Sequence, residues 1–110
     1  MANALVILRT TGPLPLQAQF TAPSDGPAIL FVSGSGWSGN GASSIGAQVA
    51  IDGAGIGVVG VYTNEASSHK AFIPMMFPVQ LSYGAHTLTL TQTATTTTDS
   101  NDVFEVVLLS

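Results

Sequence analysis

The alternation of apolar and polar positions along the chain predicts a protein built from β-strands. In residues 45–52 every second side chain, beginning with Ile45, is apolar, which is the period of a half-buried strand. Asp52-Gly53 predicts a tight turn, because glycine tolerates a positive φ, and residues 56–62 supply the second strand of a hairpin. The other apolar or alternating segments predict strands at residues 4–8, 17–21, 28–35, 79–81, 86–93 and 103–109.

The spacing of turn-forming residues predicts how these strands are arranged. Glycine, proline and serine interrupt the chain about every ten residues, which is typical of a β-sandwich or a closed barrel. The glycine-rich segment at residues 33–44 is predicted to be a long mobile loop. A length of 110 residues fits a single domain, at residues 1–110.

The final predicted strand, residues 103–109, has two apolar faces instead of one. One face carries Val103, Glu105, Val107 and Leu109, and the other carries Phe104, Val106 and Leu108, so both faces are largely apolar. An antiparallel sandwich normally leaves one face of each sheet in water. The strand is therefore either covered on both sides within the monomer or buried against another subunit. In a two-sheet sandwich the opposite sheet covers only one face of a strand. Burial of the second face at a subunit interface is therefore favoured.

Composition and charge narrow the possible partners. Only 7% of the residues are charged, against about 25% in an ordinary soluble domain, and the net charge is -4. This balance excludes nucleic acid and polybasic membrane docking, because both require clustered cations. The longest apolar stretch, residues 71–79, is too short to span a bilayer. Without a recognisable signal peptide, the chain is predicted to be soluble and cytoplasmic at synthesis, with later release or display on a particle surface left open.

Several segments, taken in their common order, resemble the C1q/TNF-like superfamily. Residues 20–33 are similar to the opening of the C1q-like globular domain, residues 79–90 to a later strand, turn and strand, and residues 99–109 to its final loop and strand. The resemblance implies an all-β, two-sheet antiparallel jelly-roll sandwich that assembles as a homotrimer. The absence of a collagen-like stalk and of cysteine suggests a small stand-alone bacterial or phage-type member.

Candidate trimer contacts lie in two predicted strands that are apolar on both faces, residues 71–77 and residues 103–109. These residues are Phe72, Met76, Val107 and Leu109. A low charge fraction supports self-association, because an apolar surface without charges is hidden most readily against a second copy of the chain.

Aromatic and amide side chains in the predicted loops indicate a lectin-like site. Trp37 offers an aromatic face for the apolar CH groups of a sugar, and Asn40 offers an amide for its hydroxyl groups. Tyr62, Asn64 and Glu65 form a second cluster of this kind. The alternative for Trp37 is an indole that folds back and caps one end of the sandwich.

An acidic loop before the last strand is a candidate metal site. Asp99, Asn101 and Asp102 place three oxygen-bearing side chains within four residues, and calcium takes six to eight oxygen ligands. The loop lacks the glycine and the distal glutamate of an EF-hand. The alternative is a solvated turn whose side chains bind their own backbone. No cofactor is predicted, with calcium at this loop left open.

A catalytic site is not predicted. The possible general bases are His69, placed in a polar surface loop, and His86, which is interpreted as a packing residue with a hydrogen-bonded ring nitrogen. The sequence has no Gly-x-Ser-x-Gly motif. The chain is predicted to be a binding module and not an enzyme, with itself and glycans as partners. The alternative is a purely structural virion or cell-surface protein without a small-molecule ligand.

Overall fold

The computed structural model describes residues 3–110, which form ten β-strands and no helix. The strands are β1 (Ala4–Thr11), β2 (Leu16–Ala22), β3 (Gly26–Ser33), β4 (Ser35–Gly36), β5 (Ser43–Ile51), β6 (Ala54–Thr63), β7 (Lys70–Ala71), β8 (Met75–Leu81), β9 (Gly84–Gln92) and β10 (Val103–Leu109). Residues 3–110 thus contain no helix long and apolar enough to cross a bilayer.

Two four-stranded antiparallel sheets form a jelly-roll sandwich. The first sheet has the order β1-β10-β3-β8 and the second has the order β2-β9-β5-β6, while β4 and β7 form a small sheet of their own, called here the end sheet. In each large sheet a late strand lies between two strands from the first half of the chain: β10 between β1 and β3, and β9 between β2 and β5. The sandwich is therefore complete only when both of these strands are in place. The predicted fold class is confirmed.

The inward faces of the two sheets make one apolar core. Leu108 and Val106 on β10 and Leu88 and Leu90 on β9 are almost fully buried. Each such side chain contributes about 1.5–3 kcal/mol on transfer from water, so the predicted alternation in β9 determines which face turns inward. The threonines of β9 occupy the opposite face of that strand, as the alternation predicts.

The predicted hairpin and the predicted role of His86 are both found. Asp52 and Gly53 have φ values of 53° and 81°, as a tight turn between β5 and β6 requires. His86 is 9% exposed and stacks on Phe20, with ring centroids 5.5 Å apart. Its Nδ1 lies 2.6 Å from Asp52 Oδ2 and its Nε2 lies 2.8 Å from the Ser82 carbonyl oxygen. Two oxygen acceptors favour the imidazolium form, in which both nitrogens donate.

β10 lies between β1 and β3, and only its inner face is covered within residues 3–110. On the other side, two rows of apolar side chains cross the four strands of the first sheet. This outer apolar face consists of Ala4, Val6, Ile29, Phe31, Met76, Pro78, Val107 and Leu109. A groove of about 380 Å³ opens on it beside Ile29, Pro78 and Leu109.

The structure differs from the sequence prediction at Phe72, which is a core residue and does not lie on the outer apolar face. Phe72 is 2% exposed and packs against Phe104, with ring centroids 6.4 Å apart. The predicted strand at residues 71–77 is interrupted, because β7 ends at Ala71 and β8 begins only after Pro74. The break resets the alternation, so Met76 points outward while Phe72 points inward.

The predicted mobile loop at residues 33–44 is in fact partly ordered by pairing. It contains β4, which pairs with β7, and Trp37, which forms a β-bridge with Thr97. Gly34 allows this path, because a Cβ there would lie 2.6 Å from a ring carbon of Phe104.

The hydrogen bonds of His86 predict a dependence of stability on pH. The Ser82 carbonyl and then Asp52 raise the pKa of His86 above 6.5. The stability that the imidazolium contributes is therefore complete below pH 6.5 and is lost as the pH rises through the folded-state pKa. We expect the difference in unfolding free energy between the native chain and His86→Gln to shrink from pH 6 to pH 9, measured by urea denaturation. A constant difference would contradict the assignment.

Candidate functional site

Three connections meet at one end of the sandwich. They are residues 37–42, 64–69 and 93–102, together called the loop end. Trp37 exchanges two backbone hydrogen bonds with Thr97, of 2.9 and 2.7 Å, and the Ser67 amide donates to the Ser38 carbonyl at 2.7 Å. The three connections are therefore fastened to one another through the backbone.

A fully buried carboxylate holds this end together. Asp102 is 0% exposed, and its Oδ1 accepts hydrogen bonds from Ser35 Oγ at 2.8 Å and from His69 Nδ1 at 2.7 Å. Its Oδ2 accepts the Asp99 amide at 2.9 Å. A buried anion is costly unless it is hydrogen-bonded, and three donors satisfy this one.

The hydrogen bond to Asp102 orients His69. Because Nδ1 faces Asp102, Nε2 points toward the more exposed Asp99, whose Oδ2 is 3.6 Å away. Asp102 raises the pKa of His69 above its ordinary value, against the opposing effect of desolvation. On its other side the imidazole ring packs against the indole of Trp37, with centroids 5.9 Å apart and planes tilted by 43°.

The position of Trp37 is intermediate between a buried cap and an exposed loop side chain. The residue is partly buried, and its Nε1 is enclosed without a hydrogen-bond partner among residues 3–110, so the indole does cap the end of the sandwich in part. The side chain nevertheless retains some solvent exposure beside His69. Asn40, three residues further on, is exposed, and its amide nitrogen donates to Ser38 Oγ at 3.1 Å.

The structure places the second predicted sugar cluster next to the first. Asn64 and Glu65 are exposed in the connection that the Ser67 amide fastens to residues 37–42. Tyr62, 59% exposed, lies just before them on the edge strand β6, opposite Ser44. Glu65 forms a 2.6 Å ion pair with Lys70, which lowers the pKa of Glu65.

The acidic loop forms a turn whose side chains accept its own backbone amides, as in the alternative to a metal site, but it is not a solvated turn because Asp102 is fully buried. The Asn101 amide donates to Asp99 Oδ1 at 2.8 Å, and Asn101 itself is exposed. Calcium binding by Asp99, Asn101 and Asp102 stays a prediction. The structure adds a nitrogen to the group, because potential ligand atoms of His69, Asp99 and Asp102 lie within 4.8 Å of one another.

Sequence reasoning missed the association of His69 and Ser35 with Asp102. The two residues are separated from Asp102 by 33 and 67 positions, and no local pattern connects them. The nearest signal in the sequence was that His69 lies in a polar loop between β-strands, and this placement is equally typical of an ordinary surface histidine.

Removing the charge of Asp102 is expected to loosen the loop end. In Asp102→Asn the side-chain amide places N–H groups against at least one of the three donors, which we expect to cost about 1–3 kcal/mol of unfolding free energy. Asp25→Asn is the matched control, because Asp25 also accepts a backbone amide, from Tyr83, but is exposed. Denaturant unfolding measures both variants, and equal stability losses would contradict a special role for the buried carboxylate.

The sequence matches no protein-family model and no curated protein. Among solved structures, a family 35 carbohydrate-binding module from Clostridium thermocellum has a TM-score of 0.52 and 11% identity, with 100% of both chains covered. The CBM36-1 domain of a multidomain xylanase from the hindgut metagenome of Trinervitermes trinervoides has a TM-score of 0.53 and 16% identity, covering 98% of both chains. A β-glucosidase from Paenibacillus barengoltzii has a TM-score of 0.58 and 11% identity, and the chain covers only 10% of its length.

These similarities define the class of fold. The chain shares the jelly-roll sandwich of carbohydrate-binding modules, and at such low identity the likeness extends to the fold alone. They do not confirm the resemblance to the C1q/TNF-like superfamily.

Proposed function

We propose that the chain is a carbohydrate-binding module without catalytic activity and that it binds glycans at the loop end. The observation that carries this proposal is the partly exposed indole of Trp37, fixed by the Thr97 bridge and packed against His69. A rigid aromatic side chain gives contact area at low cost in conformational entropy. The sandwich shared with carbohydrate-binding modules supports the proposal independently.

Polar groups around Trp37 supply the hydrogen bonds that a sugar needs. Asn40 and Asn64 are exposed and provide amides, and Glu65 provides a carboxylate. The charges at this end belong to Glu65, Asp99 and Asp102 against Lys70, and His69 adds a positive charge only when it is protonated. Because acids outnumber cations there, neutral glycans fit the site better than uronic acids or sulfated sugars.

The contacts of His69 support binding over catalysis. A histidine that activates a nucleophilic side chain lies within about 2.6–3.2 Å of its hydroxyl or thiol group. Among residues 3–110, His69 makes its short polar contact to Asp102, and the nearby Ser35 hydroxyl donates to Asp102 as well. The remaining neighbour of the ring is the Trp37 indole.

Loss of the indole or of its neighbouring amide should weaken glycan binding. We expect Trp37→Ala to reduce the affinity for the best neutral ligand of a glycan array by at least about tenfold, since hot-spot aromatics typically contribute 2 kcal/mol or more. Asn40→Ala is the gentler variant, because that residue is exposed and its side chain can be removed without opening the core.

Tyr83→Ala is the matched control for both variants. Tyr83 is 69% exposed but lies in the turn before β9, at the opposite end of the sandwich. Its removal should leave binding unchanged. An array that stays silent with and without calcium, or equal losses in Tyr83→Ala and Trp37→Ala, would contradict the proposed site.

We further propose that the module assembles as a homotrimer. The outer apolar face supports self-association, because Val6 and Met76 on it are 45% and 58% exposed and its groove is lined mainly by apolar residues. Contiguous apolar surface of this kind marks an interaction site. The number of three subunits rests on the resemblance seen in the sequence.

A charge placed on the outer apolar face should dissociate the assembly. Sedimentation equilibrium of the native chain is expected to give about three times the chain mass of 11.2 kDa, and Val107→Lys is expected to give the monomer mass. Thr89→Lys is the matched control, because Thr89 is also half-buried and faces outward from an interior strand, but on the second sheet. A native chain that is monomeric at micromolar concentration would overturn the proposal.

A further inference from the structure

The two histidines of the chain differ in whether a ring nitrogen is free. In His86 both nitrogens face oxygen atoms, of Asp52 and of Ser82, at 2.6 and 2.8 Å. In His69 only Nδ1 has such a partner, Asp102 at 2.7 Å. The Nε2 atom of His69 is therefore the imidazole nitrogen available for a ligand.

Asp102, the hydrogen-bond partner of His69 Nδ1, is placed like the carboxylate that orients a metal-binding histidine. Histidines that bind metals almost always donate their other ring N–H to a carboxylate, a carbonyl or water, which fixes the tautomer. Asp102 accepts the Nδ1–H group of His69 in this way, and its own position is held by hydrogen bonds from Ser35 and from the Asp99 amide. With Nδ1 donating, the lone pair of Nε2 is directed to the surface beside Asp99.

Asp99 offers one free oxygen opposite that nitrogen. Its Oδ1 accepts the Asn101 amide at 2.8 Å, while its Oδ2 lies 3.6 Å from His69 Nε2. A charge-assisted hydrogen bond would be about 2.7–2.9 Å long. Two ligands at about 2.1 Å from a tetrahedral ion are about 3.4 Å apart, so the observed separation is close to that of a shared ion.

We propose that His69 Nε2 and Asp99 Oδ2 form an open site for a divalent transition-metal ion of the zinc type. Imidazole nitrogen and carboxylate oxygen are both zinc ligands, whereas calcium requires six to eight oxygens. The side chains of His69 and Asp99 are 38% and 42% exposed, which leaves the remaining coordination positions open to solvent. Asp102 is a positioning residue that acts through His69. The site does not depend on glycan binding.

The experiment is a calorimetric titration of the chain with zinc chloride at about pH 7.5, because zinc must displace any proton from Nε2. We expect saturable binding of one zinc ion per chain. His69→Asn should weaken it by at least about tenfold, since the asparagine amide can still donate to Asp102 but Nε2 is lost. Asp99→Asn should weaken it similarly, while retaining an acceptor for the Asn101 amide.

Asn101→Ala is the matched control from the same loop. Asn101 is exposed, and its side chain is not part of the proposed site, so zinc binding should stay within about twofold of the native value. The absence of saturable zinc binding, or equal binding by the native chain and His69→Asn, would overturn the proposal. Calcium bound more tightly than zinc, and lost in Asn101→Ala, would overturn it in favour of an oxygen-only site.

Two further measurements separate this proposal from the proposed function. Thermal unfolding of each variant without metal verifies that the loop end still folds. Glycan binding measured after treatment with a chelator tests the sugar site alone, so a failure of zinc binding with intact glycan binding rejects the metal site only. Zinc binding without any glycan ligand rejects the proposed function only.

Discussion

The buried carboxylate of Asp102 is the interaction on which the arrangement of the loop end depends. It ties together the end sheet through Ser35, the connection after β6 through His69, and its own turn through the Asp99 amide. The Asp102 backbone carbonyl also accepts the Gly12 amide. Because an anion removed from water must keep its donors, these segments are not free to move independently. The exposure of Trp37 follows from this arrangement, since the indole rests on the imidazole that Asp102 orients.

The two outer faces of the sandwich differ in chemical character, which explains how a chain with so few charged residues has one mainly apolar face and one hydrated face. The outer face of the first sheet carries apolar side chains on all four strands beside the Arg9–Glu105 ion pair, whereas the second sheet turns Gln17, Gln48 and the threonines of β9 to solvent. Amide and hydroxyl groups keep that second face hydrated without charge. Self-association through the first face would leave the loop end uncovered, because the loops lie at the end of the strands and not on the sheet. Assembly and glycan binding are therefore compatible.

The two histidines show how one residue type can serve different ends of the same fold. His86 is enclosed by Phe20, Asp52 and the Ser82 carbonyl, and it stabilises the turn region as an internal hydrogen-bond donor. His69 has one nitrogen in the interior and one at the surface, which makes it a connection between the buried carboxylate and the solvent. The chemistry available at each end of the sandwich therefore depends on how many ring nitrogens of its histidine are already hydrogen-bonded within the fold.

The sequence by itself determined the elements whose signal is local. Alternation identified β5, β9 and the inward leucines, Asp52-Gly53 identified the hairpin, and the two apolar faces of β10 indicated a surface that the monomer leaves uncovered. Only the tertiary structure decided what depends on distant residues: that Phe72 belongs to the core after the break at Pro74, and that Ser35 and His69 converge on Asp102. The physical reason is that alternation repeats over two residues, whereas the donors of a buried carboxylate are chosen by sheet pairing across the whole chain.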